Sequence, residues 1–243
     1  MRFILLAHER TGTTLFRGLA NQHPSVFIYG EMCFPSFFDN GWYSRLAHEV
    51  DRDKSVLLPQ EGGARFIPYI SDLAQLEERN GRRAVGFDIK IAQAKMIGYF
   101  NHHVQESGYG VLHLRRRNTL ATIISNETMV ARMNRGLPPH GTMPAENEPV
   151  YLDPEWLGLR IEELELEDRL LMFTHRNQPF LQICYEDFTT PFGWEMECGR
   201  VSDFLDVDFQ VPFKPTLVKQ NTSNLEELIV NADEIRYLFP RFF

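Results

Sequence analysis

At 243 residues, with 43% hydrophobic and 24% charged side chains, the chain is long enough to bury a full α/β core and has an ordinary globular composition. A formal charge of −8 argues against a general nucleic-acid or anionic-membrane binder, and no apolar stretch approaches the length of a membrane-spanning helix. Cys33, Cys184 and Cys198 are far apart and lack metal-ligand spacing, so a reducing, cytoplasmic setting with inert thiols and no metal is expected.

The apolar run Phe3-Ile4-Leu5-Leu6-Ala7 reads as a first strand; one positive charge and no small-residue cleavage site set it apart from a signal peptide. Arg10-Thr11-Gly12-Thr13-Thr14 follows, and then a helical pattern carrying Leu15, Phe16 and Leu19. A strand, a tight loop and a helix start are how a chain builds a phosphate cradle. The first-turn N–H groups are unpaired, the helix dipole favours an anion, and a glycine lets the backbone approach closely. Thr13 and Thr14 add hydroxyl donors and Arg10 a forked cation. The nucleoside-triphosphate cradle needs G-x-x-x-x-G-K-[ST]; here the first Gly and the Lys after the second are both missing.

Further along, Val26 to Tyr29 is a short strand ending at Gly30-Glu31, and Ala84 to Lys90 is another. A helical stretch from about Ala92 to Val104 precedes the strand Val111 to Leu114, and a helix from about Thr119 to Arg135 stops at Gly136. The proline-rich segment between Gly136 and Pro154 reads as a long surface loop. Asp153 and Pro154 then open a helix to about His175, Phe180 to Cys184 forms a strand, and Thr190-Pro191 opens a helix to about Leu205. Ser223 and Glu226 have the spacing of a capping box for a late helix. Strands alternating with helices imply a mostly parallel sheet covered on both faces, in one domain spanning residues 1–243.

The strand Val111-Leu112-His113-Leu114 delivers Arg115-Arg116-Arg117 to its C-terminal end, the side on which open α/β sheets bind ligands. Ser125 lies eight residues after Arg117, about two helical turns, so the next helix can return its hydroxyl to the same pocket. Bare arginine triplets are often solvated charge runs. Beside a phosphate loop, this one suggests a second phosphate on the same ligand.

With these motifs the sequence resembles the sulfotransferases that use 3′-phosphoadenosine 5′-phosphosulfate (PAPS). The likeness continues through His23-Pro24, Gly30-Glu31, Tyr185-Glu186-Asp187 and Lys219-Gln220-Asn221. It is nearest to tyrosylprotein sulfotransferases and to bacterial carbohydrate sulfotransferases of the nodulation-factor and trehalose type. The resemblance implies a sulfotransferase fold, a P-loop-kinase-like parallel sheet flanked by helices. It implies that Arg10, Thr11, Gly12, Thr13 and Thr14 bind the 5′-phosphosulfate and that Arg117 and Ser125 bind the 3′-phosphate. Tyr185, Lys219, Gln220 and Asn221 are placed by the same likeness near the nucleotide.

Glu31 and Lys90 follow Arg10 at the spacings of the catalytic Glu and Lys of the tyrosylprotein enzymes. Glu31 would be the general base, with Lys90 and Arg10 stabilising charge on the transferring group, and the product would be adenosine 3′,5′-bisphosphate (PAP). The expected acceptor is a hydroxyl of a carbohydrate or small molecule. Aromatic residues near the base, Phe34, Phe37, Phe38, Trp42 and Tyr43, would either stack on that acceptor or belong to the core. His8 and His113 read as structural histidines. Two alternatives stand: an ATP-dependent small-molecule kinase, with Asp88 as a magnesium ligand at the end of an apolar strand, and a non-catalytic nucleotide-binding protein.

Overall fold

The computed structural model describes residues 1–33, 42, 59–136, 148–215 and 224–243. Five strands, β1 (Arg2–Ala7), β2 (Val26–Tyr29), β3 (Ala84–Lys90), β4 (Gly110–Arg115) and β5 (Phe180–Cys184), form one parallel sheet in the order β2-β3-β1-β4-β5. The chain leaves central β1 for one side of the sheet, then crosses to the other at β4. At such a reversal, beyond the C-terminal ends of the strands that flank it, here β1 and β4, open α/β sheets take ligands. Ala7 at the end of β1 is in register with Lys90 and with Leu114, so the segments after β1, β3 and β4 emerge at one level.

Helices cover both faces of the sheet, and strand alternation decides which side chain meets which layer. Phe3, Leu5 and Ala7 pack with Phe16 and Leu19 of α1 (Thr13–Ala20) and with Trp194 and Val201. Ile4 and Leu6 face the opposite layer, with Phe66 and Ile70 of α2 (Pro59–Arg79). In β3 the odd positions Val85, Phe87 and Ile89 join that second layer. Asp88 and Lys90 therefore point to the α1 side.

The strands expected from sequence are present, and α/β architecture with a helix-flanked parallel sheet is what the chain adopts. Two local expectations are corrected, and one helix appears where none was expected. The stretch from Ala92 to Val104 is not one helix: α3 (Ile91–Met96) and α4 (Phe100–Glu106) are separated at Gly98 and Tyr99, the latter at φ 55. Gly98 accepts a backbone hydrogen bond from Gly63 of α2 at 2.9 Å, and a Cβ on Gly62 would lie 3.1 Å from the Gly98 nitrogen, so the break seats one backbone against another. Next, α2 itself runs through Gly62, Gly63 and Pro68, residues that conceal a helix in the sequence. Finally, the segment after Asn224 is a 3₁₀ turn, Leu225–Leu228, capped by Asn224, and the late helix is Ala232–Leu238; Ser223 lies outside the described residues.

The expected helices downstream of β4 are α5 (Thr119–Asn134), α6 (Pro154–Thr174) and α8 (Pro191–Leu205), with a short α7 (Tyr185–Phe188) between β5 and α8. Asp153 caps α6 by accepting from the Trp156 nitrogen at 2.8 Å, and Thr190 caps α8 through the Gly193 nitrogen. Residues 137–147 of the proline-rich segment, with Lys219, Gln220, Asn221, Phe34, Phe37, Phe38 and Tyr43, lie outside the described residues. Trp42 is buried against Phe66, so this one aromatic belongs to the core.

Candidate active site

The loop between β1 and α1 turns through left-handed conformations at Arg10 (φ 63) and Gly12 (φ 93). Turning residues of this kind aim backbone N–H groups into an anion-binding nest. Non-glycine residues adopt positive φ uncommonly, and such strain gathers at ligand sites. Gly12 is the N-cap of α1 and offers no side chain to the first-turn N–H groups, nor is there an acidic residue in that turn. The positive end of the helix is left to an external anion. Gly12 is required for a second reason: a Cβ there would lie 2.3 Å from Cδ2 of Tyr185. The Tyr185 ring packs directly against the loop, its other neighbours being Phe188, edge-on, and the Arg116 guanidinium, 5.1 Å from the ring centroid.

Not every hydroxyl of the loop faces outward. Thr11 is buried and donates to the His8 carbonyl at 2.8 Å, closing the turn from within, so what it can present to a ligand is its backbone. Thr13 accepts from Lys90 Nζ at 2.6 Å. The cation that a nucleoside-triphosphate cradle carries just after its second Gly is here supplied to the same helix start from the neighbouring strand.

Lys90 is 2% exposed, and the three donors of its ammonium have three oxygens around them. Thr13 Oγ1 lies at 2.6 Å, Asp88 Oδ1 at 2.7 Å and Glu31 Oε1 at 3.4 Å. Asp88 is fully buried, and its second oxygen lies 3.2 Å from Nη1 of Arg17, one helical turn beyond Thr13. Asp88, Lys90, Thr13, Arg17 and Glu31 thus form one cluster in which two carboxylates balance two cations. Glu31 is its outermost member, with a partly exposed side chain. Asp88 and Arg17 were not assigned this task from sequence, although i, i+2 spacing in β3 and i, i+4 spacing in α1 bring them to one face.

Arg10 donates from Nε to Ser125 Oγ at 3.3 Å, which joins the β1 loop to α5. Burial lowers the Arg10 guanidinium from its ordinary value, and the Glu31 carboxylate opposes that shift. Arg117 stands apart. Its Nη2 donates to both carboxylate oxygens of Asp187, at 2.6 and 2.7 Å, and the pair is largely exposed. The hydrogen bond to Asp187 raises the Arg117 guanidinium above its ordinary range. Ser125 and Arg117, read from sequence as a pair, therefore have different partners: Arg10 for one, Asp187 for the other.

His8 and His113 face the layer opposite α1, where α6 carries Glu167 and Asp168. Asp168 Oδ1 lies 3.3 Å from His8 Nε2 and 3.0 Å from His113 Nε2, and Glu167 Oε2 lies 3.6 Å from His8 Nδ1. Burial alone would push the Asp168 carboxyl up; the two histidines outweigh it and hold it well below the usual carboxylate range. Both histidines are buried, tying α6 to the ends of β1 and β4. Among the described residues no group of three or more His, Cys, Asp or Glu is arranged to hold a metal ion.

Solved structures similar to the chain along its length include three sulfotransferases. The sulfotransferase from Alicyclobacillus acidocaldarius is 14% identical, aligned over 98% of this chain and 91% of its own, with a TM-score of 0.48. The sulfotransferase domain of the Synechococcus PCC 7002 olefin synthase is 17% identical over 100% of this chain and 86% of its own, at 0.46. The sulfotransferase domain of the curacin biosynthetic pathway is 16% identical over 96% and 81%, at 0.47. No protein-family model and no curated protein matches the sequence. At such identities and TM-scores, the chemistry has to be argued from the residues themselves.

Proposed function

We propose that the chain transfers the sulfuryl group of PAPS to a hydroxyl of a carbohydrate or small-molecule acceptor and releases PAP. The observation that carries this reading is the convergence of Lys90, Thr13 and Glu31 at the uncapped start of α1, with Arg10 in the same loop. Two cations and a row of helix N–H groups beside one carboxylate are what in-line transfer of an anionic group needs, and they need no metal. When bound, PAPS supplies a sulfuryl group on a phosphate leaving group.

The residues divide the work. The first-turn N–H groups of α1 and the Arg10 guanidinium hold the 5′-phosphosulfate. Lys90 neutralises charge developing on the transferring and bridging oxygens. Of its three contacts the one to Glu31 is the longest and the least buried, so it is the contact a sulfuryl oxygen would replace. Glu31, released from the ammonium, takes the proton of the acceptor hydroxyl. Arg117 and Ser125 are assigned the 3′-phosphate, with Tyr185 beside the nucleotide and Lys219, Gln220 and Asn221 as further nucleotide contacts.

Against the kinase alternative, Asp88 is fully buried with its two oxygens on Lys90 and Arg17, which leaves it poorly placed to serve a magnesium ion. Incubation with PAPS and a panel of hydroxyl acceptors, scored by mass spectrometry, is expected to give a sulfate mass gain that persists in a chelator. A phosphate gain from Mg-ATP, lost on chelation, would replace this reading with the kinase one.

A further inference from the structure

We propose that Asp187 sets the affinity of the site for a 3′-phosphorylated nucleotide by holding the guanidinium that this phosphate needs. The inference rests on the donor reading above and concerns a residue to which that reading gives no task. Arg117 Nη2 donates to Oδ1 and Oδ2 of Asp187 at 2.6 and 2.7 Å, so a single terminal nitrogen is shared between both carboxylate oxygens. Arginine grips a phosphate through two nitrogens of its planar fork. For Arg117 to do so, Nη2 must leave Asp187 or divide itself between two anions.

The backbone around this pair is fixed. Glu186, next to Asp187, accepts from the Arg117 nitrogen at 2.9 Å and the Asn118 nitrogen at 3.3 Å, pinning the end of β4 to the turn after β5. Rearrangement is therefore confined to two side chains. Both are substantially exposed, at 58% for Arg117 and 36% for Asp187. An ion pair in such a setting is worth a factor of about two to five in an equilibrium constant, enough to compete with a phosphate and too little to exclude it. Asp187 also leaves a carboxylate charge beside the incoming dianion, which acts in the same direction. A nucleotide without a 3′-phosphate has no quarrel with Asp187.

The test compares calorimetric Kd values of PAP and adenosine 5′-phosphosulfate for the wild type, Asp187→Asn, Arg117→Ala and the double variant. Asp187→Asn is expected to tighten PAP about two- to fivefold and to leave adenosine 5′-phosphosulfate unchanged, and the gain should vanish in the Arg117→Ala background. Asp187→Ala, which cannot offer an amide oxygen to Arg117, must agree in sign. Unchanged or weakened PAP binding, or an equal gain for both nucleotides, would overturn the role of Asp187. If the wild type binds PAP normally in that case, only this inference falls. A wild type that binds neither nucleotide overturns the donor reading, and the role of Asp187 with it.

Discussion

Glu31→Gln is expected to lower turnover by about 10²-fold or more while leaving nucleotide affinity nearly intact. The amide keeps the shape of the side chain and cannot accept the acceptor's proton. Its structural effect should be small, because Glu31 is the weakest of the three contacts of Lys90 and is partly exposed, whereas Thr13 and Asp88 remain at 2.6 and 2.7 Å. Steady-state kinetics with a direct binding measurement separate the two quantities. Near-normal turnover would remove Glu31 from the mechanism. His8, the histidine nearest the loop in sequence, is no ready substitute, since it is buried facing Glu167 and Asp168.

Lys90→Ala should act on both chemistry and folding. Loss of a preorganised donor to developing negative charge costs about 10²–10³-fold in kcat. The substitution also takes the nearer of two cations from the fully buried Asp88 and leaves it Arg17, and removing one partner of a buried ion pair costs about 3 kcal/mol of stability, the lower end of the usual range. The two effects come apart in the double variant Lys90→Met with Asp88→Asn, which removes both charges. Most of the stability should return in a thermal melt and none of the turnover. Recovery of activity along with stability would make Lys90 a packing residue.

The strands were legible because each is a short, largely apolar run, and because β3 keeps its hydrophobic character despite carrying Asp88 and Lys90. What sequence could not show depends on contacts between distant segments. The helix α2 hides behind two glycines and a proline, and those glycines make sense only against Gly98 and His103, where the chain breaks between α3 and α4 and resumes. At the candidate site, Arg10, Gly12 and Thr13 are read from the loop pattern and Glu31 and Lys90 from the family resemblance, and Lys90 lies beside Thr13 and Glu31 in the fold. Spacing gives the neighbours on one strand face, so Asp88 beside Lys90 was readable. The pairing of Arg117 with Asp187, 70 residues later, was not, because two exposed side chains choose partners only after the strand ends are brought together.

The most direct measurement is the thermal shift produced by PAP or PAPS compared with that of Mg-ATP. A ligand that binds only the folded protein adds about 2.7 kcal/mol at a hundred times its Kd, which moves the melting temperature by several degrees. On the proposed function, with Arg10 and Lys90 serving one phosphate and Arg117 a second, the protein should be stabilised far more by PAP and PAPS than by Mg-ATP, with or without a chelator. Equal or greater stabilisation by Mg-ATP would contradict the account.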